Sequence, residues 1–237
     1  MSAWNEFLGE IKSAQNELGN PEEIWYRGQS DPTWFLQPSL VRLTDWQKKE
    51  KILFEEFKKL SQGVLEKRNN DWDILFDMQH YWIPTRLLDW TTVLGVAIAF
   101  ILHSDYTNVN DSAIYLLNPV ALNELSGKQI IHVPEAGSRF EYKNIYWDND
   151  PFKAERPIAI KPNTLNPRLK AQSGVFTIFG TLESNFEHTA TSCYRKIILR
   201  AEAKAEAREF LKWANLNEFT IYPDIVGIAN HIKSKVI

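Results

Sequence analysis

Gln79-His80-Tyr81-Trp82-Ile83-Pro84-Thr85-Arg86-Leu87-Leu88-Asp89-Trp90-Thr91 is the stretch on which the reading of this chain turns. Upstream of it, Trp72, Leu75, Phe76 and His80 recur at three- and four-residue steps, which predicts a helix capped by Asp71 and ending near residue 80. Pro84 disfavours helical backbone at Ile83, so 85–90 is expected to be extended. Thr91 or Thr92 then caps a second helix reaching to about 103. Its run Val-Leu-Gly-Val-Ala-Ile-Ala-Phe-Ile-Leu (93–102) is the most apolar in the chain. That run is too short to span a bilayer and reads as a buried helix.

Polar groups are set into this helix–strand–helix unit in a pattern that a solvated surface does not need. Arg86 and Asp89 lie three residues apart, so in a strand they face opposite sides. They need not pair, and one of them can face a cavity. His80 is open to three readings: a general base, a hydrogen-bond donor to a ligand, or a satisfied core histidine. Thr91 serves as a helix cap, and the helix N-terminus it marks also favours anions.

A second run, Trp25-Tyr26-Arg27-Gly28-Gln29, places an arginine in an aromatic strand. Such a charge must meet a carboxylate or an anionic ligand, because burying it alone is costly. Either Arg27 binds phosphate through its planar fork, or it bridges the strand to a helix. Gly28 lets another group approach the backbone closely. A third run, Arg168-Leu169-Lys170-Ala171-Gln172-Ser173-Gly174-Val175-Phe176-Thr177, feeds a polar turn into an apolar strand. Gln172 can hold a ligand amide or ribose hydroxyl there, or the run is a hairpin with a glycine bulge. A fourth, Phe219–Ala229, contains Pro223-Asp224, with Asp224 read as a helix cap.

The 237 residues suit one large domain, with 44% hydrophobic and 24% charged residues and nine tryptophans beside thirteen phenylalanines. A net charge of −3 argues against a general nucleic-acid binder. The lone Cys193 excludes a disulfide framework and a cysteine-rich metal site, and fits a reducing cytoplasm. Residues 1–10 do not read as a secretory signal, and no membrane association is expected. Trp4, Phe7, Leu8, Ile11 and Leu18 predict an N-terminal helix over 1–20, ended by Gly19-Asn20-Pro21. Residues 22–29 are expected as a strand and 30–43 as a loop. Thr44 and Gln47 resemble a capping box opening a long helix over 45–67. Short strands are expected at Ala113–Leu117, Gln129–Val133, Pro157–Ile160, Val175–Phe179 and Tyr194–Leu199, with a polar surface excursion over 134–155. Helices close the chain at Ala201–Trp213 and Ile225–Lys235. This order favours an α+β fold over a βαβ array. No phosphate-binding Gly-Lys-Ser/Thr loop, dinucleotide glycine fingerprint, His-Glu-x-x-His or Gly-x-Ser-x-Gly occurs, and the five histidines are scattered, so no metal site is visible.

Taken together and in order, these runs resemble the FRG-domain family. Its signature stands here as Tyr26-Arg27-Gly28, followed by Pro-Ser-Leu-Val-Arg at 38–42, the 79–91 motif, the Gln-x-Gly-Val-Phe turn and a late Tyr-Pro-Asp-x-x-Gly. The resemblance extends over about 22–232, which makes 1–237 a single FRG domain behind an N-terminal helix. Trp82 stands where the family has glycine, and Val226 where it has a second aspartate. The resemblance implies an ADP-ribosyltransferase-like fold: a helical N-terminal part followed by a mostly antiparallel split β-sandwich. It implies NAD as substrate or ligand, cleavage of its nicotinamide–ribose bond, and transfer of ADP-ribose to a macromolecular acceptor or to water, as in a toxin or phage-defence effector. A non-catalytic module that senses a nucleotide or binds a partner is the alternative. On this reading Arg27, His80, Asp89 and Gln172 carry the chemistry, while Gly28, Gln29, Tyr81, Arg86, Trp90, Thr91 and Arg168 hold the nucleotide. The acid such transferases carry at the turn before the late strand is absent here: Gln172, Ser173 and Gly174 occupy it, and Glu183 and Glu187 follow.

Overall fold

A computed structural model describes residues 2–65, 70–104, 109–128, 133, 139–163, 166–180, 186 and 190–236. The chain opens with α1 (Ala3–Glu17), β1 (Trp25–Gln29), α2 (Trp46–Leu60) and α3 (Asp71–His80). Next come β2 (Leu87–Thr91), α4 (Leu94–Ser104), β3 (Ser112–Leu117), α5 (Pro119–Glu124) and α6 (Tyr142–Trp147). β4 (Ile158–Ile160), α7 (Pro167–Ala171), β5 (Gly174–Ile178) and β6 (Tyr194–Leu199) follow. A 3-10 turn (Ala201–Ala203) then leads into α8 (Lys204–Trp213), α9 (Glu218–Ile221) and α10 (Ile225–Val236).

The fold is α+β. Six strands form one sheet in the order β4-β5-β2-β1-β3-β6, with every neighbouring pair antiparallel. This is a single open sheet covered by helices, and the expected pair of stacked sheets is not what the described residues form. The sheet is nevertheless divided. β1 runs in register with β3 from Trp25↔Leu117 to Gln29↔Ala113, and β2 with β5 from Leu87↔Ile178 to Thr91↔Gly174. Between β1 and β2 the register holds only at Tyr26↔Thr91. Beyond that pair the two strands diverge and leave a fork.

Side chains alternate across each strand, so each half of the sheet buries two faces. Ala113, Tyr115 and Leu117 join Trp25, Leu88, Trp90 and Phe179 in a cluster on one face. Ile114 and Leu116 face the other way, onto Phe7 and Ile11 of α1, Ala97 and Ile101 of α4 and Ala207 of α8. Phe54, Trp72, Leu75 and Tyr142 bring α2, α3 and α6 onto Leu87 of β2 and Phe176 and Ile178 of β5. The apolar run at 93–102 is the buried α4, whose Ala97, Ile98, Ala99 and Ile101 have no solvent exposure. No helix among the described residues is long and apolar enough to cross a membrane. Gly28 explains how α4 lies so close to the sheet. A Cβ there would sit 2.2 Å from the Ala97 carbonyl oxygen. The group that approaches Gly28 is therefore a helix backbone.

Several local expectations change. α2 ends at Leu60, and its N-cap is Asp45 in the left-handed region without a side-chain cap bond, so the Thr44–Gln47 box does not form. Asn70, and not Asp71, caps α3 by accepting the Asp73 amide. Residues 142–147 lie within the expected surface excursion, yet they form a helix whose Tyr142, Ile145 and Tyr146 are buried; aromatic spacing outweighed the polar surroundings. The run before β5 is a short helix closed by Ser173 at φ 47°, and no hairpin forms there. Of the expected strand at Gln129–Val133 only Val133 is described, outside any strand, with its amide on the Lys161 carbonyl. Glu183 and Glu187 lie outside the described residues.

Candidate functional site

The fork holds a cavity of about 420 Å³, within the roughly 300–1,000 Å³ typical of small-molecule sites. Arg27 and Gly28 line it from β1, and Leu88, Asp89 and Trp90 from β2. Gln79 and His80 enter from the end of α3, Arg42 from the loop before α2, Arg168 from α7, and Gln172 from the turn into β5. Arg27 reaches across the gap, and its Nη1 donates to the Asp89 carbonyl at 2.7 Å. That carbonyl would pair with β1 if the strands did not part.

The 79–91 motif closes on itself around Asp89. The Thr85 hydroxyl donates to the Gln79 amide oxygen at 2.5 Å, and the Gln79 amide nitrogen donates to Asp89 Oδ2 at 2.8 Å. Gln79 is thereby fixed in one orientation, and it fixes the exposed carboxylate in turn. Thr91 sits behind the wall: its hydroxyl donates to the Gln172 carbonyl at 2.6 Å and accepts the Val93 amide just ahead of α4. It positions the Gln172 turn and caps a helix, and its side chain is buried behind the cavity. Trp90 is core on one side, with its indole N–H on the Thr177 hydroxyl at 3.0 Å.

The donors of the cavity are poorly satisfied. Arg27 Nε and Gln172 Nε2 are both buried with no hydrogen-bond partner among the described residues. Burial holds the Arg27 guanidinium below the ordinary arginine range; Asp89 opposes that shift and Arg42 adds to it. Arg42 and Arg168 make no hydrogen bond or ion pair among the described residues. Arg168 is held instead by rings, 5.6 Å from the Trp82 centroid and 4.9 Å from that of Tyr222. Buried polar groups normally find partners, so Arg27 Nε and Gln172 Nε2 are the two donors here whose hydrogen-bonding capacity the described residues leave unused.

Burial, aided by Arg168, pushes His80 below the ordinary imidazole range, against the opposing pull of Asp77 and Asp224. It is therefore neutral at pH 7 and able to accept a proton. The native state binds fewer protons than the unfolded chain between this lowered value and about 6.5. His80 thus subtracts stability as pH falls through about 6.5 towards that value. Thermal melts from pH 7.5 to 5.5 should decline less steeply for His80→Gln than for the wild type. Some slope will persist, because burial also lowers His103.

Four expected ligand contacts lie elsewhere. Arg86 is 1% exposed and wholly engaged inside the protein. Its Nε donates to Glu50 Oε1 at 2.6 Å, its Nη2 pairs with Glu50 Oε2, and its Nη1 donates to the Phe179 carbonyl at 3.1 Å. The rings of Trp46 and Tyr146 cover the guanidinium at 4.9 and 4.6 Å. Burial opposes the charge, but Tyr142 and Glu50 hold its pKa above the ordinary arginine range. Arg86 is a structural cation that ties α2 to β2 and cannot neutralise a diphosphate in the fork. Gln29 is buried, with its amide nitrogen near the Phe35 carbonyl, 3.5 Å away, and Tyr81 faces a separate apolar groove beside Phe57. Thr91, as above, stands behind the wall. Arg27, His80, Asp89, Gln172, Gly28, Trp90 and Arg168 do converge. Arg42 and Tyr222 were missed as wall residues, although the Pro-Ser-Leu-Val-Arg segment carried a signal for Arg42. Asp224 is the expected cap, accepting the Gly227 amide at 2.9 Å.

Residues 22–109 match the family model of the FRG domain. The match takes in β1, α2, α3, β2 and α4, hence the side of the cavity that bears Arg27, Arg42, Gln79, His80 and Asp89. Arg168, Gln172 and Tyr222 come from beyond it. No curated protein and no solved structure matches the chain. Among the described residues no group of three or more His, Cys, Asp or Glu could hold a metal ion.

Proposed function

We propose that the fork cavity binds NAD and that the chain breaks its nicotinamide–ribose bond, passing ADP-ribose to water or to a macromolecular acceptor. The observation that carries this reading is the set of donors unmet among the described residues, Arg27 Nε and Gln172 Nε2, in one cavity with the guanidiniums of Arg42 and Arg168, which no described residue pairs. Among the described lining residues, three arginines and one carboxylate, Asp89, leave an excess of positive charge that a diphosphate would neutralise. The amide of Gln172 offers a donor for a ribose hydroxyl.

The chemistry asked of the residues is modest. As the C1′–N bond breaks, its electron pair passes to the pyridinium nitrogen and leaves neutral nicotinamide. Positive charge then grows on the ribose, as in glycoside cleavage. In this reading Asp89, whose carboxylate Gln79 orients, stabilises that charge. Water or an acceptor hydroxyl adds at C1′, and neutral His80 takes its proton.

The measurement is nicotinamide release, read by chromatography, together with thermal shift. Wild-type protein should release nicotinamide. NAD at a hundred times its Kd should add about 2.7 kcal/mol of stability, a rise of roughly 5–10 °C for a chain of this size. Arg27→Ala should abolish both signals. Absence of any NAD-dependent shift would refute the reading. One observation favours a second reading, a nucleotide sensor without turnover: the turn before β5 presents the amide of Gln172, without a carboxylate. Saturable NAD binding that Arg27→Ala removes, with no nicotinamide formed, would establish the sensor.

A further inference from the structure

Trp82 sits where the fold asks for glycine. α3 ends in a two-bond closure: the Ile83 amide donates to the Met78 carbonyl at 2.9 Å, and the Trp82 amide to the Gln79 carbonyl at 3.2 Å. This is the Schellman arrangement, in which the residue just past the helix takes the left-handed conformation. Trp82 does so with φ 59°. Glycine fills such positions without cost, whereas a bulky side chain there is strained. The strain is not repaid by packing, because Trp82 is 75% exposed. A large, strained aromatic left in solvent has no role in holding α3. It does line the fork cavity, and the guanidinium of Arg168 lies over its ring. Strained residues at the wall of a site are a mark of ligand contact.

We infer that Trp82 is the base-stacking element of the cavity: the aromatic base of a nucleotide lies on its exposed indole face, while Arg168, held between Trp82 and Tyr222, turns its N–H groups to the phosphate. This inference rests on the nucleotide reading and specifies which part of the ligand Trp82 recognises. Stacking a base on an aromatic side chain contributes about 1–3 kcal/mol and tolerates different bases, so Trp82 sets a requirement for a base without choosing among bases.

The test uses the whole chain, AMP and ribose 5-phosphate as probes, and the variants Trp82→Gly and Trp82→Phe, with calorimetric titration and thermal melts. Trp82→Gly relieves the backbone and should melt about 2–4 °C higher, a gain near that of 1 kcal/mol, which separates lost affinity from misfolding. The same variant should bind AMP about tenfold or more weakly and ribose 5-phosphate as the wild type does, while Trp82→Phe retains most of the AMP affinity. Equal AMP affinity in Trp82→Gly and wild type would overturn the role of Trp82 and leave the nucleotide reading standing. Equal loss of both probes in Trp82→Gly would overturn it too, by showing that the ring only positions Arg168. Failure of the wild type to bind either probe would end the nucleotide reading itself.

Discussion

Arg86→Met will destabilise the protein by about 3–5 kcal/mol, because it strands the Glu50 carboxylate among Trp46, Tyr142 and Tyr146 without its cation. Urea denaturation will read the loss directly, and the melting temperature will fall by roughly 6–20 °C. Removing both charges tells the structural role from a ligand-binding one. Arg86→Met with Glu50→Leu leaves no unpaired ion, and replacing a buried pair by apolar groups is often neutral or better. The double variant should recover part of the stability, short of what the Tyr142 hydroxyl and the Phe179 carbonyl lose with their partners, and bind ligand as the wild type does. A single variant that stayed stable but lost NAD affinity would return Arg86 to the site.

On the proposed reading, Asp89→Asn is the second large effect, and it acts on the NAD-cleaving step alone. The amide keeps the shape of the carboxylate and can still accept from Gln79, so the fold and the binding of NAD should change little. It lacks the charge that a developing ribose cation needs. Nicotinamide release under saturating NAD should therefore fall about 100- to 1,000-fold. A variant with unchanged release would show that Asp89 is not the stabilising carboxylate.

These two residues also show what sequence can reveal. Arg86 and Asp89 stand three apart in one motif and do not pair: Arg86, just ahead of β2, meets Glu50, while Asp89 accepts from Gln79 at the cavity. Which of the two meets the cavity depends on Glu50, thirty-six residues from Arg86 and on another helix. Neither spacing nor composition reports that partner. Periodicity found α1, α3, α4 and the strands β3, β5 and β6, because apolar alternation reflects burial that the fold then realises. It misjudged 142–147, where aromatics spaced for a helix are surrounded by polar residues. On the site, glycine and arginine in an aromatic strand pointed to Arg27, and the cluster at 79–89 to His80 and Asp89. Arg42 and Tyr222 lie far away in sequence and reach the cavity only through the topology. The same limit applied to the division of the sheet. The single register pair between Tyr26 and Thr91 follows from how two strands are steered by their outer neighbours, and no local signal encodes it.

The parting of β1 from β2 has a mechanical side. The sheet is two three-stranded leaves that share the core of Trp25, Leu88, Trp90 and Tyr115, are joined in register at Tyr26 and Thr91, and carry Arg27 of one as a latch on the Asp89 carbonyl of the other. The guanidinium that would greet an anion is the same one that clasps the leaves. A guest drawing Arg27 towards itself would loosen that latch while bridging the gap with its own body, so capture and closure of the seam become a single event.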